Sequence, residues 1–134
     1  MIRPLKINEI PWAAELHAKL MAGSVLALFG PGPLRILYRE LVRSPHGLVL
    51  AASVDGRLEG VIAVMLDRAA FARSLIWRKG LLVALSMAWG VLTRTECRRL
   101  LLQLPRYWIS ARAGTAEAEM LFITVAPDAR DRGL

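Results

Sequence analysis

Cysteine is nearly absent: the 134 residues hold one, Cys97, with two histidines, two tyrosines and three phenylalanines. A single cysteine excludes an internal disulfide and points to a reducing compartment. With no base beside it in the sequence, Cys97 reads as a neutral structural residue. His17 and His46 stand far apart and lack the Cys or acid spacing of a metal site, so none is expected. Acidic residues are also scarce, 11 against 18 Lys and Arg, for a net charge of +7. The imbalance is local: between Arg68 and Arg112 nine Arg and Lys face one acid, Glu96. Such a stretch suits an anionic neighbour, whether phosphates, a membrane surface or an acidic partner. Its plainer reading is a solvated arginine face.

Long apolar runs are missing too. LLVALSMAWGVL, Leu81 to Leu92, is twelve residues without a charge, between Arg78-Lys79 and Arg94. As a helix it covers about 18 Å against a hydrocarbon core of about 30 Å, too short to span. A buried helix is expected there, ahead of an interfacial one with basic flanks. The opening residues MIRPLKINEIPW lack the apolar core of a signal peptide, which together with the cysteine usage predicts a cytoplasmic protein.

What remains is greasy for a soluble chain: 55% hydrophobic residues and a mean hydropathy of +0.42. The length fits one domain with a real core. Asn8 is the expected cap of a helix running through Pro11 to about Met21, with Trp12, Leu16, Leu20 and nearby alanines on its apolar face. FGPGP (Phe29 to Pro33) enforces a loop, and Pro33 can start a second helix carrying Leu34, Leu37, Tyr38 and Leu41 at helical spacing. Its glycines are not followed by Lys and Ser/Thr, so a phosphate loop is not read there. Ser44-Pro45-His46-Gly47 ends that helix. LVLAASVDGRLEGVIAVML then predicts a β-hairpin closed by Asp55-Gly56, a pair suited to a type I′ turn. From Arg68 to about Arg106 the pattern turns helical, broken near Thr93 to Glu96, with Trp77, Leu81, Leu85, Trp89 and Leu92 assigned to core packing. RAGT (Arg112 to Thr115) reads as a loop, and Glu117 to Val125 as a third strand. The expected class is mixed α/β.

The chain closes on VAPDARDRGL, a basic glycine-bearing turn after a strand. Backbone N–H groups at a helix mouth hold anions, glycine lets the backbone approach a ligand closely, and arginines add charge. The stretch AEMLFITVAPDARDRGL resembles the acetyl-CoA-binding segment of the GNAT superfamily of N-acetyltransferases. In that family a bulged strand leads through V-x-P into a turn of the form [QR]-x-x-G-x-[GA]. Val125-Ala126-Pro127 matches the strand exit, and Arg130-Asp131-Arg132-Gly133-Leu134 matches five positions of the turn, the sixth falling at residue 135. Two helices followed by a hairpin are the usual lead-in of such proteins.

The resemblance implies a GNAT-like fold with a mainly antiparallel sheet flanked by helices. It implies one partial domain over 1–134, incomplete at its C-terminal side, with a helical insertion at about 68–112. It implies acetyl-CoA as cosubstrate and a primary amine that attacks the thioester directly. Backbone groups of Ile123, Thr124 and Val125 would pair with the pantetheine arm, and the amides of Arg130, Asp131, Arg132, Gly133 and Leu134 would cradle the pyrophosphate. Glu119 is the candidate general base, with Glu117 as its substitute two residues back. In an uninterrupted strand Glu119 shares a face with Leu121, Ile123 and Val125. Neither Tyr38 nor Tyr107 matches the family's thiolate-protonating tyrosine. The alternative expectation is an assembly module that homodimerises through its open strand edge. A membrane or nucleic-acid surface on the Arg68 to Arg112 helices is the lesser reading.

Overall fold

The computed structural model describes residues 1–95, 99 and 119–127, with Val25 and Glu119 described by backbone alone. The expected helix at RRLLLQLPRYW, apart from Arg99, the RAGT loop, Cys97, Glu117 and the turn Arg130–Leu134 lie outside the described residues. The elements run β1 (Ile2–Pro4), α1 (Ile10–Leu20), α2 (Val25–Leu28), α3 (Pro31–Arg43), β2 (Gly47–Val54), β3 (Arg57–Met65), α4 (Arg68–Thr93) and β4 (Glu119–Val125). The strands form one sheet in the order β1-β2-β3-β4, each pair antiparallel. The class is therefore mixed α/β, as the sequence pattern predicts.

The β2–β3 hairpin follows from its turn. Asp55 and Gly56 both take positive φ, 49° and 79°, the left-handed pair that a two-residue turn matched to strand twist requires. One face of the sheet is packed. Val49 and Ala51 on β2, Val61 and Ala63 on β3, and Phe122 on β4 form the core with Ile10, Ala13, Leu34, Tyr38 and Leu41 of the helices. On α3 the buried set Leu34, Leu37, Tyr38 and Leu41 keeps the i, i+3, i+4, i+7 spacing of an amphipathic helix.

Helix starts depart from the sequence reading. Asn8 is not the cap of α1. It sits inside a 3-10 turn (Ile7–Glu9), and the Glu9 carboxylate accepts from Lys6 N at 2.9 Å while Arg3 clamps it with two further bonds of 2.8 and 2.6 Å. That fork ties β1 to the mouth of α1. The buried stripe of α1 is Ile10, Ala13, Ala14 and His17, with Trp12 half-buried. α3 begins at Pro31 rather than Pro33, because Gly30 takes φ 89° and turns the chain two residues earlier. Strand β1 went unpredicted: three residues with a proline carry no alternation, and its place beside β2 is set by the ladder and by the terminal amine donating to Ser53 O at 2.7 Å.

The largest correction concerns α4. It is 26 residues long, and the expected burial of its apolar segment does not occur. Trp77 is 87% exposed, Leu81 75%, and Trp89 and Leu92 70% each. Only Phe71 and Gly90 of this helix are buried. The regular spacing of its large residues marks a stripe but is not a core-facing one.

Candidate functional site

Two bulges shape the sheet beside the expected cofactor strand. On β3, Ala52 pairs with Gly60 and Ser53 with Leu58, leaving Glu59 as the extra residue. On β4, Ala63 pairs with Phe122 and Val64 with Met120, leaving Leu121 as the extra residue. A bulge breaks the two-residue alternation of a strand and re-aims the side chains beyond it, which is why bulges recur beside active sites. Here it corrects the expected face of Glu119. Position 119 pairs with Met65, two steps along from Ala63, so it falls in phase with Phe122 and out of phase with Ile123. The Glu119 position therefore belongs to the helix-covered side of the sheet.

On that side lies a cavity of about 220 Å³, lined by His17 of α1, Met21 just after it, Ser24, Leu26, Leu37 and the bulge residues Leu121 and Phe122. Its polar wall is a buried chain. The Tyr38 hydroxyl lies 3.4 Å from His17 Nδ1, and His17 Nε2 lies 3.2 Å from Ser24 Oγ. Ser24 Oγ also accepts from Ala27 N at 3.2 Å, capping α2. The His17 ring stands edge-on to Phe122, with centroids 4.2 Å apart.

Burial sets the protonation of this chain. It pushes the Tyr38 phenol well above its ordinary range, and it pushes the His17 imidazole below its ordinary 6.5. Tyr38 thus keeps its proton and His17 is neutral at pH 7. Tyr38 is fully buried, and its O–H is assigned as donor to Nδ1, which makes Nε2–H the donor to Ser24. The Ser24 O–H is then the donor left for whatever enters the cavity.

A second space of about 590 Å³ opens where β4 ends, lined by Asn8, Glu9, Trp12, Arg57, Glu59 and Ala126. Ala126 N donates to Glu59 O at 2.6 Å, so the β3 bulge holds the strand exit in place. Thr124 sits on the covered face, and its Oγ1 is the one buried side-chain oxygen without a partner among the described residues.

Of the site residues expected from sequence, Glu119, Ile123, Thr124 and Val125 are brought together on β4. Ile123 is 59% exposed on the open face, and Thr124 is buried on the other. Arg130, Asp131, Arg132, Gly133 and Leu134 lie outside the described residues. His17, Ser24 and Tyr38 were missed. They are 21 positions apart end to end, and nothing in their spacing marks them as neighbours; a histidine at the core position of an amphipathic helix was the available signal. No group of three or more His, Cys, Asp or Glu able to hold a metal occurs among the described residues. No family model, no curated protein and no solved structure matches this chain.

Proposed function

We propose that the chain carries the fold and cofactor strand of a GNAT-type N-acetyltransferase, which transfers an acetyl group from acetyl-CoA to a primary amine in the cytoplasm. The observation that carries this reading is the bulge of β4 at Leu121, placed before Val125-Ala126-Pro127 and beside a mostly apolar cavity whose polar lining residues are His17 and Ser24. The order of two main helices, a hairpin and then a bulged strand supports it as well. β4 pairs with β3 along one edge, and its other edge has no strand partner among the described residues. The pantetheine arm would add there as an extended strand does, along Ile123 to Val125. Backbone N–H groups at the bulge would polarise the thioester carbonyl as charge builds on its oxygen. The amine would enter from the cavity, on the helix-covered side to which position 119 belongs. Glu119 would take its proton, since only an unprotonated amine attacks. Ser24, held by neutral His17, would orient the acceptor by a hydrogen bond.

The pyrophosphate cradle is assigned to Arg130 through Leu134. Changing Arg130 and Arg132 together to alanine should weaken acetyl-CoA binding at least tenfold by calorimetry. Equal affinity in the double variant removes the cradle from the account.

A second reading rests on the sheet face opposite the helices, where Met120 (58% exposed) and Ile123 (59%) on β4 and Ile2 (62%) on β1, at the other edge of the sheet, are exposed among the described residues. Homodimerisation that buries this face and the β4 edge would make the protein an assembly module. Light scattering separates the two: a dimer that neither binds acetyl-CoA nor releases free thiol belongs to the second reading.

A further inference from the structure

The outer face of α4 has chemistry that neither the acetyl-transfer reading nor the core explains. Trp77, Leu81, Leu85, Trp89 and Leu92 fall within about 120° of arc at 100° per residue, and each is more than half exposed. Trp77 and Trp89 stand at either end of this stripe, about 18 Å apart along the axis. Arg73 and Arg78 are exposed at its N-terminal end. No acidic residue lies between Asp67 and residue 95. The opposite face is held by the protein. A Cβ added to Gly90 would come within 3.0 Å of Phe29, and one added to Gly32 would lie 3.8 Å from Ser86. Arg94 NH1 donates to Leu28 O at 3.1 Å and pins the C-terminal end.

We propose that this face docks on an anionic lipid bilayer, with the helix axis lying in the plane of the interface. Length and composition alone would let α4 cross a membrane: its most apolar 18-residue window has a mean hydropathy of 1.4, and 6% of that window is buried. Its packing argues otherwise. α4 runs antiparallel along α3, so that Lys79 and Leu82 border the same small cavity as Arg35 and Arg39. A spanning α4 would carry those cations, and Glu40 beside them, toward hydrocarbon at a high cost. Lying flat, the helix keeps α3 in water, buries its stripe among acyl chains, and holds tryptophans at the depth they favour. Arg73 and Arg78 then reach lipid phosphates with their stems along apolar surface.

Charge selects lipid over a second copy of the chain. Two such faces would bring like-charged helices together, whereas an anionic surface attracts both ends of the segment. A convex apolar ridge also offers an acidic protein no groove to fill. Lipid docking is independent of the acetyl-transfer reading.

The test is co-sedimentation of the protein with vesicles of 70% phosphatidylcholine and 30% phosphatidylglycerol, alongside vesicles of phosphatidylcholine alone. Binding to the anionic vesicles is expected, falling at least tenfold in the neutral ones or at about 0.5 M salt. Trp77→Ser with Trp89→Ser should lower it at least tenfold while the circular dichroism spectrum stays unchanged, since both side chains are exposed. Arg73→Gln with Arg78→Gln should weaken binding and flatten its salt dependence without touching the apolar stripe. Absence of vesicle binding at low salt overturns the proposal. So does native-like binding by the tryptophan variant. A dimer in lipid-free buffer that those serines dissolve would give the face to a second copy. Tryptophans shielded from a soluble quencher in a lipid-free monomer would give it to the chain's own 96–118 segment.

Discussion

His17 is placed where a charged imidazole has nothing to gain. It is 3% exposed, sits between Tyr38 and Ser24, and meets the edge of Phe122. Because burial holds its folded pKa below 6.5, the unfolded chain takes up the proton first as pH falls. The stabilisation from neutral His17 is therefore complete above about pH 6.5 and is lost as pH drops toward its lower folded value. Urea midpoints measured between pH 7.5 and 5 should decline in the native protein and decline less in His17→Gln; parallel slopes would mean that His17 does not titrate this way. Glu119 has a different signature. Glu119→Gln should lower kcat at least about a hundredfold, the scale of general base catalysis, and leave acetyl-CoA affinity within twofold. Equal losses in both would make residue 119 a structural member of β4. At this scale the sequence was legible where one motif carried a meaning, as with Asp55-Gly56. It was not legible where a cluster is made by contacts between separate helical segments, as with His17, Ser24 and Tyr38.

Elements were legible according to how local their cause is. The hairpin follows from its turn pair and the length of α3 from one apolar stripe, so both stand nearly where the pattern put them. β4 was legible as a strand, but its bulge was not: LFITV reads as continuous apolar sequence, and only pairing with β3 reveals that Leu121 is extra. α4 is the instructive failure. Periodicity reports which residues share a face, and it is silent about what that face meets. Two substitutions test the elements directly. Asp67 caps α4 by accepting from Ala70 N at 2.9 Å, so Asp67→Ala should cost about 1 kcal/mol in denaturant unfolding. Gly47 starts β2 under the end of α3, where an added Cβ would meet Leu41 O at 2.5 Å and Leu41 Cα at 2.9 Å. Both are backbone atoms that cannot turn aside, so Gly47→Ala should destabilise by about 1–3 kcal/mol, the range for overpacking. A change under about 0.5 kcal/mol at either position would contradict these contacts.

Among the described residues a sheet is packed by helices on one side, and the cationic, apolar α4 lies along α3. The fold class was readable from the order of elements, because strands, turns and helices each announce themselves within a few residues. The two apolar surfaces exposed among the described residues were not, since coverage is a property of the assembled chain. Both surfaces predict behaviour of the intact particle. The open sheet face predicts a tendency to self-associate with concentration, and the α4 stripe predicts lipid binding that salt reverses. The acetyl-transfer reading assigns the bulged strand, the cavity beside it and the arginine-glycine sequence a common role, and it is open to one decisive measurement. Acetyl-CoA should be titrated calorimetrically into the protein as its source cell produces it, and thiol release followed on adding a primary amine. The account predicts saturable binding with a dissociation constant between about 1 μM and 1 mM, the usual range for enzyme substrates, and amine-dependent release of free CoA thiol. Absence of binding heat and of thiol release across that range would contradict it.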